Sequence, residues 1–324
     1  MVDSFSSKKI VILGTGGTIA GQSALRNDNI GYRAAQLSID TLTASLPGLT
    51  DHVRGYALST EQVAQVDSKD MSEAVWCRLA QRTAQALAQP EVAAVVITHG
   101  TDTLEETAYF LQSVLPAHKP VVLTCAMRPA SAVSPDGPQN LLDALSLAMD
   151  AQAAGVWVVC AGGVHAPDQV QKIHPYRLDA FSSGDAGPVA WVEASRVRWR
   201  AMPQPVVKPL WDGTALSADR PWPQVEIVMN HAGATGAVVQ ALVQAGVRGL
   251  VAAGTGNGTL SESLTLALQE AMAAGVQVLR TTRCPLGHII PAIEAVIPVA
   301  PGLSPVKARV ALQLKLMGLP PATV

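Results

Sequence analysis

The stretch KIVILGTGGTIAG, residues 9–21, passes from an apolar, β-branched run directly into a loop of glycines and threonines. A short apolar run bounded by glycines is typical of a buried strand. Glycines let the backbone turn tightly and approach a ligand, while Thr15 and Thr18 place two hydroxyl groups just after the strand. Since open α/β sheets bind their ligands at the carboxyl ends of their strands, this loop is a candidate site by position alone.

The same alternation of short apolar runs and helical periodicity continues along the chain. The predicted strands cover residues 9–13, 53–58, 93–98, 121–125, 156–160, 225–229, 249–252 and 276–279. Several carry apolar residues on both faces, as strands do when helices cover both sides of a parallel sheet. A last helix is predicted between Ser304, followed by Pro305, and Gly318, which are typical start and stop residues. The sequence therefore predicts an α/β protein.

The domain organisation follows from a break in this pattern. Between residues 196 and 223 the periodicity lapses, and five prolines and three tryptophans interrupt polar sequence. This segment is the predicted linker. It separates a larger N-terminal α/β domain, residues 1–195, with a mostly parallel sheet flanked by helices, from a smaller C-terminal α/β domain, residues 224–324, also with a parallel sheet. The length of 324 residues, about twice the ~150 residues of an average domain, agrees with two domains.

Composition excludes several classes of protein. Hydrophobic residues make up 48% of the chain and charged ones 15%, so a disordered chain is excluded. The net charge is −2 with no like-charge block, which disfavours nucleic acid and anionic membranes as partners. The longest apolar runs are strand-sized, and no membrane-spanning helix is predicted. The first residues lack the pattern of a secretory signal, so we expect a cytoplasmic location, or a periplasmic one if a leader has been removed.

Cysteines and histidines point to no metal and no cofactor. Cys77, Cys125, Cys160 and Cys284 are far apart in sequence without a CxxC pair, so reduced thiols are expected. The seven histidines show neither HxH nor HExxH spacing. A dinucleotide site is disfavoured because Ile19 stands where the fingerprint needs a third small residue, and a phosphate loop is excluded for want of a GK[ST]. A nucleotide-binding oxidoreductase is therefore a weak alternative.

A second candidate site is THGTDTLEETAYFL, residues 98–111, at the end of a predicted strand. Asp102 and Thr103 each precede a glutamate by three residues, which is the spacing of a capping box. The simplest interpretation is thus a well-capped helix. However, Thr101, Asp102 and Thr103 crowd two hydroxyls and a carboxylate into one turn, which is more chemistry than a cap requires.

A third segment, AQVDSKDMSEAVW at residues 64–76, predicts a short strand, a turn and a helix that begins near Asp70. Ser68 and Lys69 would then lie at the positive end of a helix dipole, which suits a carboxylate ligand. Most serines in such positions are only caps. Lys172 lies in DQVQKIH. Taken alone, such a lysine is more typical of a solvated amine on the surface.

With these segments in hand, the chain resembles the bacterial-type L-asparaginases. Five segments appear in the family's order, namely TGGTIAG at 15–21, HGTDTLEETAYFL at 99–111, AMRP at 126–129, DGPQNL at 136–141 and GNGT at 256–259. The resemblance covers nearly the whole chain. It implies an amidohydrolase of asparagine catabolism that converts L-asparagine to L-aspartate and ammonia without metal or cofactor. It also implies a homotetramer built from intimate dimers.

The resemblance further implies catalytic roles for individual residues. Thr15 matches the family's nucleophile, which would form a β-aspartyl-enzyme intermediate, and Tyr32 matches its activator on a mobile loop. Thr101, Asp102 and Lys172 match the second catalytic group. A threonine hydroxyl needs a base to remove its proton, and a lysine working through Thr101 is of the right chemical type. Whether Thr15 or a water activated by the Thr101 group attacks first stays open.

Substrate binding is implied for a second set of residues. Ser68 would meet the α-carboxylate, while Asp102 and Glu294 would meet the α-ammonium. Glu294 would come from the neighbouring subunit, so the C-terminal domain would complete that subunit's active site. The better-known secreted members have Gln or Glu where this chain has Lys69, which either turns to the carboxylate or to solvent, or weakens binding. Thr259 stands where relatives have Asn or a hydroxyl residue.

Fine specificity and overall role leave alternatives. A shorter side chain at Thr259 predicts a preference for asparagine over glutamine, whose amide lies one methylene farther out. A mixed glutaminase-asparaginase is the nearest alternative. An ammonia-releasing subunit of a tRNA-dependent amidotransferase is another, but such proteins carry an extra N-terminal domain, whereas the first predicted strand here begins at Lys9.

Overall fold

The chain forms two compact units, Met1–Ala218 and Asp219–Val324. A computed structural model describes residues 8–25, 28–116, 118–200, 216, 221–291, 296–300 and 302–319. The first unit is built on a large sheet flanked by helices, and the second on a smaller parallel sheet. The predicted α/β class is confirmed.

The described part of the first unit contains ten strands. They are β1 (Lys8–Gly16), β2 (Tyr56–Val66), β3 (Val92–Thr98), β4 (Pro120–Thr124), β5 (Gly155–Cys160), β6 (Gly163–His165), β7 (Gln171–Lys172), β8 (Phe181–Ser182), β9 (Ala190–Glu193) and β10 (Arg196–Trp199). Eight of them form one sheet in the order β10-β9-β6-β5-β4-β3-β1-β2, and β7 pairs separately with β8. Strands β1 to β5 run parallel, whereas β6, β9 and β10 are antiparallel additions at one edge.

Helices cover this sheet on both faces. They are α1 (Ile39–Ala44), α2 (Leu49–His52), α3 (Glu73–Leu87), α4 (Leu104–Val114) and α5 (Gly137–Ala148). Helices α3 and α5 both pack against β3, whose Val95 and Val96 are completely buried although they point to opposite faces. No described helix has both the length and the apolarity that crossing a membrane requires. The burial of β3 on both faces explains the continuous apolar run in its sequence.

The helix predicted to begin near Asp70 begins instead at Glu73, so that prediction is wrong. Ser72 is its N-cap, and the Ser72 hydroxyl accepts a hydrogen bond from a backbone N–H in the first turn. Residues Ser68–Asp70 form a separate 3₁₀ turn, capped by the carboxylate of Asp67. Two capping residues in tandem thus interrupt what the sequence suggests is one helix, because each starts its own turn.

The predicted linker contains an edge strand. Its first four residues form β10, which pairs with β9. The guanidinium of Arg198 bonds to the carboxylate of Glu193 and lies 4.8 Å from the centre of the Trp191 ring. Strand β10 alternates exposed arginines with the half-buried Val197 and Trp199, so it lacks the apolar run that marks a buried strand. Residues 201–215 and 217–220 of the linker lie outside the described residues.

The second unit is a three-stranded parallel sheet with helices. Its strands are β11 (Val225–Met229), β12 (Gly249–Gly254) and β13 (Gln277–Thr282), in that order, and its helices are α6 (Ala237–Gln244), α7 (Glu262–Ala273) and α8 (Pro305–Leu316). Leu250 on β12 shares an apolar core with Leu264 and Leu268 on α7. The predicted boundaries of α8 are confirmed, with Ser304 as N-cap and Gly318 at a φ of +79° just after the helix.

Two of the cysteines lie side by side, which the sequence spacing does not suggest. Cys125 follows β4 and Cys160 ends β5, and their sulfur atoms are 3.2 Å apart. Since β4 and β5 are neighbours in the sheet, residues 35 positions apart in sequence become adjacent in space. The Cys160 thiol and complete burial raise the pKa of the Cys125 thiol, so it stays protonated at neutral pH. Both sulfurs are free thiols.

Candidate active site

The site begins where the neighbouring parallel strands β1 and β3 end. Gly14, two residues before the end of β1, is level with Thr98, the last residue of β3. The hydroxyl of Thr15 donates a hydrogen bond of 2.9 Å to the carbonyl of Thr98, and Thr15 is 1% exposed. The two segments that the sequence marks as candidate sites therefore lie at the same edge of one sheet.

Glycines allow the two loops to touch through their backbones. A Cβ atom on Gly17 would lie 2.3 Å from the Cα atom of Gly100, and one on Gly16 would lie 2.5 Å from the carbonyl oxygen of Val66. Gly16 also has a φ of +101°, which side chains disfavour. Any side chain here would push the loops apart, so this backbone contact accounts for the glycines of the TGGT motif.

Lys172 joins the second loop. Its ammonium donates hydrogen bonds to the Thr101 hydroxyl at 2.8 Å and to the Asp102 carboxylate at 2.6 Å. The Lys172 side chain is only 17% exposed, so the interpretation as a solvated surface amine is wrong. Lys172 sits on β7, which pairs with Phe181 of β8, and its backbone N–H reaches the carboxylate of Glu105 at 3.3 Å. The lysine is thus held from both its backbone and its ammonium.

The spacing at the start of α4 suggests a helix cap, but the Thr103 side chain does not make the capping hydrogen bond. Thr103 is the N-cap residue, but its side chain makes no hydrogen bond to its own helix. Its hydroxyl donates instead to the carbonyl of Ser68, at 2.8 Å. The carboxylate of Asp102 is engaged by Lys172. The alternative interpretation of this segment as a simple helix cap therefore does not hold, because partners distant in sequence bind both capping groups.

Ser68 lies against the same loop. It is 2% exposed, and its hydroxyl accepts a hydrogen bond of 3.1 Å from the backbone N–H of Asp102. A Cβ atom on Gly100 would lie 2.4 Å from that hydroxyl oxygen. Ser68 is thus packed beside Gly100 and Asp102, although it is not at the end of an α-helix as predicted.

Lys69 is engaged within its own turn. Its ammonium is 2.6 Å from a carboxylate oxygen of Asp67 and 3.3 Å from one of Asp70, and its side chain is 61% exposed. Both carboxylates raise the pKa of the Lys69 ammonium. Lys69 is therefore an exposed lysine whose charge is balanced by the carboxylates of Asp67 and Asp70.

Tyr32 contacts the second threonine of the TGGT motif. Its hydroxyl oxygen is 2.6 Å from that of Thr18, which is itself buried. A Cβ atom on Gly21 would lie 2.8 Å from the tyrosine ring, so the ring packs directly on the backbone there. The sequence indicates no separate role for Thr18, although it is the second hydroxyl residue of the TGGT motif.

Burial raises the pKa of the Tyr32 phenol above its ordinary value of 10.0, because the phenolate loses hydration. Since the folded state disfavours the phenolate, the contribution of Tyr32 to stability is fully present below the pKa of the unfolded state. This contribution is lost as the pH rises through the pKa of the folded state. We therefore expect the alkaline titration of tyrosinate absorbance, compared between the wild type and Tyr32→Phe, to give a difference curve centred above pH 10. A difference curve centred at or below 10.0 would contradict this assignment.

The motifs AMRP and DGPQNL hold neighbouring strand ends together. The Asp136 carboxylate accepts the backbone N–H groups of Met127 and Arg128, both at 2.9 Å. The side chain of Asn140 donates to the carbonyl of Cys125 at 2.9 Å and accepts from the N–H of Ala161 at 3.1 Å. These polar side chains thereby connect the segments that follow β4 and β5.

Two predicted binding residues belong to the second unit. The hydroxyl of Thr259 is 2.9 Å from that of Thr255, with which it forms an isolated antiparallel bridge around the GNGT turn. Glu294 lies outside the described residues. The binding roles of Thr259 and Glu294 therefore stay predictions. Among the described residues, no group of three or more His, Cys, Asp or Glu side chains is arranged to hold a metal ion.

Known protein families match both parts of the chain. The sequence profile of the family "Asparaginase, N-terminal" matches residues 9–205, and that of the "Glutaminase/Asparaginase C-terminal domain" matches residues 224–318. The chain belongs to the asparaginase family. The resemblance identified from the motifs is confirmed, and the chain is a hydrolase that acts on linear amides.

Individual relatives span nearly the whole chain. A glutaminase-asparaginase of Pseudomonas fluorescens biotype A is 35% identical over 319 residues, which cover 95% of this chain and 86% of the relative. L-asparaginase 2 of Escherichia coli (strain K12) is 36% identical over 326 residues, covering 95% and 88%. The crystal structure of a probable cytoplasmic L-asparaginase from Campylobacter jejuni superposes with a TM-score of 0.89 at 35% identity, covering 95% of both chains. Asparaginases and glutaminase-asparaginases both occur among the relatives.

Proposed function

We propose that this asparaginase-family member is an L-asparagine amidohydrolase that forms L-aspartate and ammonia. The observation that carries the proposal is the contact of the Lys172 ammonium with the Thr101 hydroxyl and the Asp102 carboxylate, at 2.8 Å and 2.6 Å. Thr15 is the last residue but one of β1, at the carboxyl ends of the parallel strands where the Thr101 loop also begins. A hydroxyl nucleophile with a lysine-based proton acceptor is a combination suited to amide hydrolysis.

Attack by Thr15 begins the proposed reaction. In the resting enzyme the Thr15 hydroxyl donates to the Thr98 carbonyl, so it leaves that acceptor before it attacks. After the Lys172 ammonium has lost a proton to solvent, the Thr15 proton passes through the Thr101 hydroxyl to the neutral Lys172 amine as the new C–O bond forms. Backbone N–H groups of the glycine loop stabilise the resulting oxyanion. The β-aspartyl-enzyme intermediate forms when the C–N bond breaks and the leaving nitrogen takes the proton from Lys172, which releases ammonia.

Water completes the cycle by the same route. It attacks the β-aspartyl ester and gives its proton to the Lys172 amine through Thr101. The ester C–O bond then breaks, Thr15 regains its proton, and aspartate is released. One lysine thus acts first as base and then as acid in each half-reaction.

Substrate recognition is assigned to the residues around this group. The Ser68 hydroxyl binds the α-carboxylate, and the Asp102 carboxylate, which is 50% exposed, binds the α-ammonium through the oxygen that does not face Lys172. Glu294 of a neighbouring subunit binds the same ammonium, and Thr259 of that subunit forms part of the same side of the substrate pocket. This proposal requires an oligomer, and we propose a homotetramer of two intimate dimers. The proposed location is the cytoplasm, with the periplasm as the alternative; relatives named as cytoplasmic and as periplasmic both occur.

The test is ammonia release by the purified full-length chain from L-asparagine and L-glutamine, measured in parallel. We expect a higher kcat/KM for asparagine. Comparable turnover of both amides would make the protein a mixed glutaminase-asparaginase, the alternative that relatives of that name support. A folded oligomer that releases no ammonia from either amide would contradict the proposal. Binding of tRNA or of a stable partner subunit would then favour an amidotransferase subunit.

Replacement of Lys69 tests substrate binding. We expect Lys69→Gln to lower the KM for asparagine by about two- to fivefold with an unchanged kcat, because a cation is removed near the substrate ammonium while an exposed ion pair is worth little. Lys315→Gln, which changes an exposed lysine in the last turn of α8, is the matched control. A rise in KM would instead mean that Lys69 helps to bind the substrate carboxylate.

A further inference from the structure

A chain of hydrogen bonds runs through the core beneath the site. The indole nitrogen of Trp76 is 2.8 Å from the Thr107 hydroxyl, which is 2.9 Å from Nε2 of His99. Nδ1 of His99 is in turn 2.7 Å from the carbonyl oxygen of Gly100. His99 and Thr107 are completely buried, and Trp76 is 5% exposed. The proposed mechanism above uses none of these side chains.

The chemistry of the two ends fixes the direction of the outer bonds, and a neutral His99 fixes that of the bond between them. An indole N–H can only donate and a carbonyl oxygen can only accept. The Thr107 hydroxyl therefore accepts from Trp76 and donates to Nε2 of His99. His99 is then neutral with its proton on Nδ1, which donates to the Gly100 carbonyl. Complete burial lowers the pKa of His99 to about 4, so the neutral form that this chain needs is the one present at neutral pH.

The series of hydrogen bonds ends on the peptide bond that precedes Thr101. The Gly100 carbonyl belongs to the planar unit that joins Gly100 to Thr101, so a hydrogen bond to that oxygen orients the whole plane. Gly17 and Ser68 pack against Gly100 closely enough that a Cβ atom there would collide with the Ser68 hydroxyl. The orientation of this plane determines where the Thr101 hydroxyl stands relative to Lys172.

The other end of the chain is anchored in the apolar core. The Trp76 ring stacks on Phe110, with ring centres 5.0 Å apart and an angle of 12° between the planes. Trp76 belongs to α3, and Phe110 and Thr107 belong to α4. The helices that cover the sheet are thereby connected through polar side chains to one peptide unit of the site.

We propose that His99 is a positioning residue, which orients the Gly100–Thr101 peptide and thereby holds the Thr101 hydroxyl against Lys172. His99 acts through Thr101 and does not touch the substrate. The inference rests on the proposed role of Thr101 in amide hydrolysis. It predicts that losing the bond to the Gly100 carbonyl lowers kcat and leaves KM nearly unchanged, because the chemical step depends on placement within a fraction of an ångström.

Three substitutions of His99 separate its two hydrogen bonds. The amide of His99→Asn can place an N–H near the former Nδ1 position, whereas the longer His99→Gln places its amide near the former Nε2 position, and His99→Leu removes both groups. We expect His99→Gln and His99→Leu to lower kcat by about 10- to 100-fold with KM within about twofold. His99→Asn is expected to keep kcat within about threefold, although all three variants lose thermal stability.

A second pair of variants separates loss of this hydrogen-bond network from loss of any buried hydroxyl. Thr107→Val removes the hydroxyl that links Trp76 to His99. Thr83→Val removes an equally buried hydroxyl, which donates to the carbonyl of Leu79 within α3. We expect both to lower the melting temperature, but only Thr107→Val to lower kcat. If kcat follows the melting temperature across all five variants, or if His99→Asn is as slow as His99→Gln, the positioning role is overturned.

Hydrogen exchange separates this inference from the proposed function, since it needs no substrate. The backbone N–H of Thr101, measured in the peptide covering residues 98–104, is expected to exchange faster in His99→Leu and His99→Gln than in His99→Asn. This result in an enzyme that hydrolyses neither amide would overturn the proposed function and support the orientation of the peptide by His99. Equal exchange in the three variants would overturn the inference even if asparagine is hydrolysed.

Discussion

Replacing Thr15 with valine is expected to lower kcat for ammonia release from L-asparagine by about 10⁴-fold or more. Valine keeps the shape of the buried side chain and removes only the hydroxyl, so the loss reports on the nucleophile. The Thr15 hydroxyl donates to the backbone carbonyl of Thr98, and breaking that bond lowers stability modestly. Steady-state kinetics with the melting temperature measured in parallel distinguish the two effects.

Thr124→Val is the matched control for Thr15→Val. Thr124 is also buried at the carboxyl end of a parallel strand, and its hydroxyl donates to the carbonyl of Val159 on the neighbouring strand at 2.9 Å. We expect a similar loss of stability and a kcat within about threefold of the wild type. If Thr15→Val keeps a tenth of the activity or more while Thr101→Val abolishes it, a water activated by the Thr101 group is the attacking species.

Replacing Lys172 with methionine is expected to lower kcat by about 10³-fold, which lies within the rate enhancement typical of general acid–base catalysis. Methionine is of similar length but has no proton to exchange, and it leaves the Thr101 hydroxyl and the Asp102 carboxylate without the ammonium that bonds to both. Since Asp102 is also assigned to the substrate ammonium, KM is expected to change as well. Kinetics over a range of asparagine concentration separate the two constants.

Lys119→Met is the control for this substitution. The Lys119 ammonium donates to the carbonyls of Leu87 and Gln89, outside the loops of the site, and we expect its loss to leave kcat within about twofold. Addition of methylamine to a Lys172→Ala variant should partly restore activity if the amine acts as base. A Lys172→Met enzyme with more than a tenth of the wild-type kcat would show that Lys172 only supports the loop.

Prediction from sequence succeeds where local pattern and tertiary environment agree. The apolar runs of β1, β3, β4 and β5 mark strands buried on both faces, and the last helix carries its own start and stop residues. The short strands β6 to β10 are not predicted, because two to four residues contain no period and their stability comes from pairing with distant segments. The same limit explains the helix misplaced at Asp70, where Asp67 and Ser72 cap two successive turns.

The candidate site divides in the same way. The loops at Thr15 and Thr101 are recognisable because glycines and hydroxyls after a strand are a local signal, and their motifs identify the family. Lys172 carries no such signal, since it is about 70 positions from Thr101 and reaches it only because β7 and β8 form where they do. Thr18 and His99 lie within recognised motifs, but their partners become visible only in three dimensions.

The amino-acid sequence by itself determined the α/β class, the family and the two glycine-threonine loops, because strand burial and tight turns leave their mark on neighbouring residues. Only the tertiary structure decided which polar groups meet: Lys172 with Thr101, Tyr32 with Thr18, and His99 with Thr107 and the Gly100 carbonyl. The physical reason is that a hydrogen bond acts over about 3 Å in space irrespective of separation along the chain. Parallel strands and the helices between them bring together residues that no local pattern connects.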